Sequence, residues 1–413
     1  MKPFFFTLLL SLFGATSSPP IPAWGFFGHR KINRQAVFSL PPEMLVFYKK
    51  HLDYLASHAV DPDMRRYASP FEAPRHFIDL DRYGNPPFPD LPRNWTDALL
   101  LHSAYLFVNE KNDTLPLLER DSSGRLLIVE NQVFVNRRLV GDSAKAVSVK
   151  QFRQFFSSQI LPKYYEDDWL ISCDSLAVLF GSDSLPCRSA FAVDEFYRHG
   201  VLPYHLTWML QRLADAFREK NGQKILKLSA DFGHYIADAH VPLHTTQNYN
   251  GQLTNQLGIH AFWESRLPEL YADSDYDFWV GKAEVIEKPQ EYFWTVVLES
   301  HALVDSVLGI EQDLRKNMPA DQQLCNELRG DVLVKTQCEA FAKAYHERLG
   351  GMVENRMRAA ILSVASAWQT AWVLAGQPDL RSLDLLPDES ETKAQDTLTK
   401  AFRLGKIFGR VHE

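Results

Sequence analysis

The segment HYIADAHVPLH, residues 234–244, sets His234 and Asp238 four positions apart. On a helix that spacing puts both side chains on one face, about a turn apart. Two such donors can close on one divalent cation; zinc takes N and O ligands at roughly 2.0–2.2 Å. Pro242 should stop the helix, which leaves His244 able to swing toward a neighbouring ion. Sixteen residues past His244, HAFWE repeats the device with His260 and Glu264. Upstream, His29 lies five residues past Trp24, and DPDMRRYASPFEAPRH carries Asp61 and His76. One tetrahedral zinc cannot use so many donors, so a cluster of two or three ions is expected. Clustered ions suit phosphate-ester hydrolysis: a water shared between two of them loses a proton near neutral pH and attacks phosphorus. Each fragment alone would be read as a surface pair or a satisfied core histidine; their conjunction carries the inference.

The elements that must hold these residues are mostly helical. From Trp24 to Tyr83, and again from Pro203 to Ala375, apolar residues recur at helical spacing, as in INRQAVFSL and KILKLSADFGHYIADAH. One long helix is expected over EYFWTVVLESHALVDSVLG and another from Cys338 to Ala375, ended by Gly376-Gln377-Pro378. Residues 84–195 break the pattern. They open on PPFPDLP, and RLLIVENQVFVNRRLV predicts a β-hairpin turning at Glu130-Asn131. The fold class expected is therefore mainly α, a single large helical domain over residues 24–375 with an α+β insertion at about 84–195. Residues 376–413 are polar and charged and predict a flexible tail, weakly amphipathic and basic at its end.

The chain has 413 residues, with 46% hydrophobic and 23% charged, too apolar for disorder. Its 44 Lys plus Arg against 51 Asp plus Glu give a net charge of −7, which argues against a protein that grips duplex DNA by bulk positive charge. No internal run of roughly 18 apolar residues suggests a stable membrane span.

Lys2, the apolar run FFFTLLLSLF and a Pro-rich stretch ending Ile21-Pro22-Ala23 have the form of a secretory signal peptide. Cleavage after Ala23 would make Trp24 the mature N-terminus; cleavage after Ala15 is the competitor. An exported chain, periplasmic or extracellular, can hold disulfides. The four cysteines form two local groups, Cys173 with Cys187 and Cys325 with Cys338. Local pairing is the simplest arrangement, and four free buried thiols are an equal alternative. Asn94 and Asn112 head glycosylation sequons, relevant only in a eukaryotic host.

WGFFGH, PRHFIDLD, HYIADAHVPLH and GIHAFWE together resemble the superfamily that joins zinc-dependent phospholipase C to the secreted single-strand-specific nucleases. The resemblance covers roughly residues 24–83 and 200–375 and not the insertion. It implies three zinc ions. His76, His234, Asp238 and Asp61 would form the first site, and His244, His260 and Glu264 the second. Trp24, through its amine and carbonyl, would hold the third with His29 and a bridging Asp238. Asp61 would be ligand or general base, with Asp63 as the alternative; His240 is not among the family's ligands. Glu264 matches the phospholipase branch, and the short Trp24–His29 spacing matches the nuclease branch. The substrate implied is a phosphodiester, either phospholipid or single-stranded nucleic acid. Phe26, Phe27, Tyr249, Phe262 and Trp263 flank the ligands and would stack a base or line an acyl pocket, with core packing as the default. The competing expectation is a non-catalytic exported helical protein stapled by structural zinc.

Overall fold

A computed structural model describes residues 26–140, 145–164, 169–181, 187–329, 332–381, 383, 389–408 and 410. The expected leader and Trp24 lie outside the described residues. The chain is mainly helical, as its periodicity predicts. Its centre is a group of packed helices: α1 (Phe26–Ala36), the short α2 (Asp61–Arg65), α3 (Leu202–Arg218), α4 (Gly222–Ala239) and α5 (Met352–Leu374). α4 is in contact with α1, α3 and α5, and nearly all of its residues are buried. The Asn221 side chain caps α4 by accepting from Lys224 N at 3.0 Å. On the far side of α4 from the ligand cluster, Trp368 of α5 stacks on Tyr48 with ring centroids 5.0 Å apart. Trp368 Nε1 donates to Ser229 O, and Tyr48 Oη shares a hydrogen bond with Ser229 Oγ.

The insertion is stitched shut at its base. Strands β1 (Ala104–Asn109), β2 (Thr114–Pro116), β6 (Trp169–Ile171) and β7 (Cys187–Val193) form an antiparallel sheet in the order β2-β1-β7-β6. Ala104 pairs with Val193, so the first and last strands meet and return the chain to the start of α3. The predicted hairpin is present: β3 (Ile128–Val129) and β4 (Gln132–Phe134) pair across Glu130 and Asn131, both at positive φ. β5 (Ala146–Ser148) extends it to three strands. Trp95 and Phe196 pack on Tyr204 of α3, with centroids 5.6 and 5.7 Å away, so the insertion shares one core with the helices.

Three expectations are corrected. The stretch expected as one helix over 291–309 is two, Pro289–His301 and Val304–Asn317. Together, Pro289–Asn317 has the length and apolar composition of a membrane span. Here Phe293, Trp294 and Val297 enter the core, and buried Glu311 pairs with Arg315. The helix expected from Cys338 to Ala375 is also two, Glu339–Arg348 and α5. Gly350 and Gly351 separate them at φ +59° and +79°, a left-handed backbone that glycine adopts without steric cost. A hairpin not foreseen, β8 (Leu324–Arg329) and β9 (Val332–Gln337), precedes them. Both local disulfides, Cys173–Cys187 and Cys325–Cys338, are formed. Finally, the tail expected to be loose contains a helix, α6 (Glu389–Leu404), which contacts α2. Its apolar members Leu398 and Phe402 find partners there: Leu398 is buried and Phe402 meets Tyr67 at 4.9 Å.

Candidate metal centre

α4 supplies His234 and Asp238, whose facing atoms, Nε2 and Oδ2, are 3.3 Å apart. The helix ends before Pro242, which cannot continue the backbone ladder, and the 3₁₀ turn Pro242–Thr245 presents His244. Past Gly258 a short turn, Ile259–Ala261, runs into a π-helical turn, Phe262–Arg266. Together they set His260 Nε2 at 2.7 Å from Glu264 Oε2. Such π turns are often found at functional sites. The loop bearing His76 is tied on two sides: Ile78 N donates to His244 O, while Val201 N and Leu202 N donate to Pro74 O and Phe77 O.

α1 brings His29 in by approaching α4 very closely. Asn33 Nδ2 donates to Ala230 O at 3.0 Å, and a Cβ on Gly233 would fall 1.9 Å from Asn33 Oδ1. Gly233→Ala is therefore expected to push the two helices apart and move His234. The expected cost is about 1–3 kcal/mol of stability, typical of overpacking, with weaker metal binding. A denaturant midpoint equal to that of the native chain would refute this account of the contact.

Eight side chains meet: His29, Asp63, His76, His234, Asp238, His244, His260 and Glu264. They fall into three groups, each with ligand atoms within 4.8 Å of one another: His29, His234 and Asp238; Asp63, His76 and His234; His244, His260 and Glu264, the first two sharing His234. Asp238 joins them. Its Oδ2 lies 2.9 Å from His76 Nδ1, and its Oδ1 lies 3.5 Å from His29 Nε2 and 3.9 Å from His244 Nε2. His29 Nε2 also stands 3.4 Å from Glu264 Oε1.

The donors fit divalent cations for a reason visible in their far sides. His234 Nδ1 faces Ala59 O at 2.8 Å, His244 Nδ1 faces His76 O, and His260 Nδ1 faces Tyr249 O at 3.0 Å. A carbonyl only accepts, so each Nδ1 carries the proton. Without a second proton each ring would turn a lone pair on Nε2 toward carboxylate oxygens, which also offer only lone pairs. Such an arrangement is repulsive unless a cation lies between: protons on the rings or metal ions. Backbone carbonyls fixing the tautomer from behind are the usual support of metal-ligating histidines. The three groups can hold metal ions.

No family model, curated protein or solved structure matches the chain.

The residues alone must therefore carry the reading, and not all of them sit where expected. Asp61 is in none of the three groups. Its Oδ2 takes a hydrogen bond from His58 Nδ1 at 2.7 Å, and its Oδ1 takes one from Gln395 Nε2 at 3.3 Å. Asp63, one face further round α2, stands 3.8 Å from both His76 Nδ1 and His234 Nε2. Asp61 fits by its distance from His76 and Asp63 lies only two residues on, so the sequence could not separate them; the helical turn does. Phe262 and Trp263 are also not at the mouth. Phe262 stacks on Tyr345 and Phe341, at 4.8 and 5.6 Å, and both residues are buried in the core. Phe26 is buried, and Phe27 is half-buried against the core. His240 turns away from the cluster to Ile236 O and Ser363 Oγ, and burial beside Arg356 lowers its pKa to about 3, so it stays neutral.

Arg65, Arg66 and Arg75 belong to a network around the ligands. Arg75 and Arg65 reach buried Glu72 at 2.9 and 3.5 Å, and Arg66 reaches Asp63 at 3.5 Å. Glu72 lies behind His76, with its Oε1 3.8 Å from Nε2. Sequence reasoning missed Glu72; its only signal was its i, i+4 spacing from His76.

The electrostatics follow the pairing. Burial alone would raise the Asp238 and Glu264 carboxyls, but facing imidazoles, His234 and His244 for Asp238 and His244 for Glu264, hold both well below the usual range. Asp63 is lowered against burial by His234, His76 and His29. Burial also opposes the His76 and His244 imidazolium forms. Carboxylates outweigh it and raise both pKa values: Asp238 and Glu72 for His76, Asp238 and Glu264 for His244. At His260 burial wins and the pKa falls.

Proposed function

We propose that this chain is an exported, zinc-dependent phosphodiesterase related to the phospholipase C and single-strand nuclease superfamily. The observation that carries this reading is the set of imidazole and carboxylate lone pairs converging from three neighbouring groups on Asp238 and Glu264. Nitrogen and oxygen donors without thiolate suit zinc, and both disulfides suit export. Bound ions would supply Lewis-acid stabilisation of the phosphoryl oxygens and a water acidified to near neutral pH.

The chain's own residues divide the remaining work. Asp238 and Glu264 hold the imidazoles at fixed separations. Asp63 is the most exposed of the three carboxylates, with 18% of its side chain accessible against 11% for Glu264 and 1% for Asp238. Its Oδ1 would accept a proton from an attacking water, and the His234, His76 and His29 imidazoles, with Arg66 behind them, keep it ionised. The substrate is a phosphodiester, phospholipid or single-stranded nucleic acid. With Phe262 and Trp263 in the core, neither serves as a stacking platform.

Hydrolysis of bis(p-nitrophenyl) phosphate by the zinc-loaded chain, with and without chelator, tests the class. A folded, zinc-loaded sample inert on every phosphodiester would sink it and leave zinc as a staple. That competing reading draws support from the near-complete burial of the ligands. Asp63→Asn should lower turnover by about 10²–10⁴, the usual range for losing a general base. Asp61→Asn should cost far less, and the reverse order would reassign the roles. Phosphatidylcholine vesicles against single-stranded DNA would separate the two substrates.

A further inference from the structure

The ligand cluster is too covered for a catalytic cleft: His76, His234, Asp238 and His260 are all at most 2% exposed. The chain's own C-terminal segment lies across the residues that border it. Gln395 Nε2 of α6 donates to Asp61 Oδ1 on α2 at 3.3 Å. Two turns further on, the Phe402 ring sits 6.1 Å from Phe26, three residues before His29, and 4.9 Å from Tyr67. Beyond α6, Phe408 N donates to Arg66 O at 2.9 Å, and the Arg66 guanidinium, which pairs with Asp63, also reaches Arg410 O.

The last anchor is the most specific. Arg410 pairs with the buried carboxylate of Asp79. Its guanidinium lies 3.5 Å from the centroid of the Phe77 ring and 4.7 Å from that of Tyr249. Phe77 adjoins His76, and the Tyr249 carbonyl holds His260. The anchors therefore bracket the cluster from the α1, α2, His76 and His260 sides. Two of the aromatic faces that would receive a base or an acyl chain, Phe26 and Tyr249, are taken by Phe402 and Arg410.

We propose that the segment from Glu389 to Arg410 is an intrachain strap that covers the metal cleft and competes with substrate for its aromatic ledges. As a claim about substrate this rests on the phosphodiesterase reading; as a claim about access to the metal it does not. The geometry also supplies a release point. Arg403 to Lys406 are exposed around a turn at Gly405, where cutting after a basic residue would separate the Phe408 and Arg410 anchors from α6.

The test compares the full chain with one ending at Leu383, both loaded with zinc. Two quantities are read: the rate at which 4-(2-pyridylazo)resorcinol strips the metal, and the KM and kcat for bis(p-nitrophenyl) phosphate. A strap open about a tenth of the time raises an apparent KM about tenfold. Truncation is therefore expected to leave zinc content unchanged, speed metal release about tenfold and lower KM by a similar factor. Unchanged release together with unchanged KM overturns the proposal. Loss of turnover with zinc retained also overturns it, since the segment would then help to bind substrate. If release accelerates while neither chain hydrolyses any phosphodiester, the cover stands and the phosphodiesterase reading fails. Should the shortened chain not fold, the full-length double variant Phe402→Ala, Arg410→Ala must give the same two shifts, and its failure to do so overturns the proposal.

Discussion

Asp238→Asn is expected to abolish turnover and to empty more than one metal site at once. Asp238 is the carboxylate whose oxygens reach an imidazole of each of the three groups: Oδ2 toward His76 and His234, Oδ1 toward His29 and His244. An amide of the same shape removes the charge and turns one of those oxygens into an N–H donor, which cannot ligate. The imidazoles beside it would then meet a donor where they need an acceptor or a cation. A loss of about a thousandfold in kcat/KM is the expected scale, as for removing one preorganised electrostatic group. Metal content, measured by mass spectrometry of the digested protein, should fall by more than one ion per chain, with the helical circular dichroism retained. Glu264→Gln is the control: it faces His244, His260 and His29 but not His76, so it should spare the group containing Asp63. An Asp238→Asn chain that keeps its full metal complement would show that the three groups do not share this residue.

Much of this centre was legible because ligand pairs on helices obey a fixed period. His234 with Asp238, and His260 with Glu264, needed only the i, i+4 rule, and both pairs are in contact. Glu264 lies on a π turn rather than a regular helix, yet the pair still closes. Where the period did not apply, the sequence lost resolution. Asp61 and Asp63 stand two residues apart on a five-residue helix after a 3₁₀ turn, and no spacing argument tells which one faces inward. The aromatic neighbours were ambiguous for another reason. Phe262 and Trp263 lie between the ligands His260 and Glu264, but a helix turns successive side chains about 100° apart, which sends these two into the core, Phe262 against Tyr345. The break at Gly350-Gly351 was visible as residues and passed over because the apolar pattern continues beyond it. Composition alone does not reveal the helix Glu389–Leu404 in the C-terminal segment. Its polar average hides Leu398, Phe402 and Arg410, which each find one specific partner surface, and sparse anchors of that kind leave no periodic signal.

Removing the metal is expected to lower the melting temperature, and the gap between loaded and stripped protein should widen as pH rises. Each ion held at a thousand times its Kd adds about 4 kcal/mol, so two or three ions correspond to a shift on the order of ten degrees. The pH dependence comes from His76 and His244. Their folded pKa values lie above the ordinary histidine value, because burial is outweighed by Asp238, Glu72 and Glu264. In stripped protein these imidazolium–carboxylate pairs therefore stabilise the fold fully below about pH 6.5, the unfolded value. That contribution is lost as pH rises through the raised folded values, leaving buried carboxylates facing neutral rings. In loaded protein the ion must displace the same protons, so metal affinity changes in the opposite direction. It strengthens with pH, by about 1.4 kcal/mol per pH unit for each proton displaced, until the rings are neutral. Both describe the same protons leaving, so the gap widens once by that amount. The depressed carboxyls of Asp63, Asp238 and Glu264 lose their contribution only as pH falls through values below the usual carboxylate range, outside this window. Scanning calorimetry of loaded and chelated protein between about pH 6 and pH 8.5, the span over which histidine titrates, should show a growing gap. Calorimetric titration of zinc in buffers of different ionisation enthalpy should show proton release at the lower pH that fades at the higher. A gap that stays constant, or binding without proton release at about pH 6, would mean that the imidazoles are already neutral in the stripped protein. Their lone pairs would then have to be held apart from the carboxylates by something other than the protons assigned to them here.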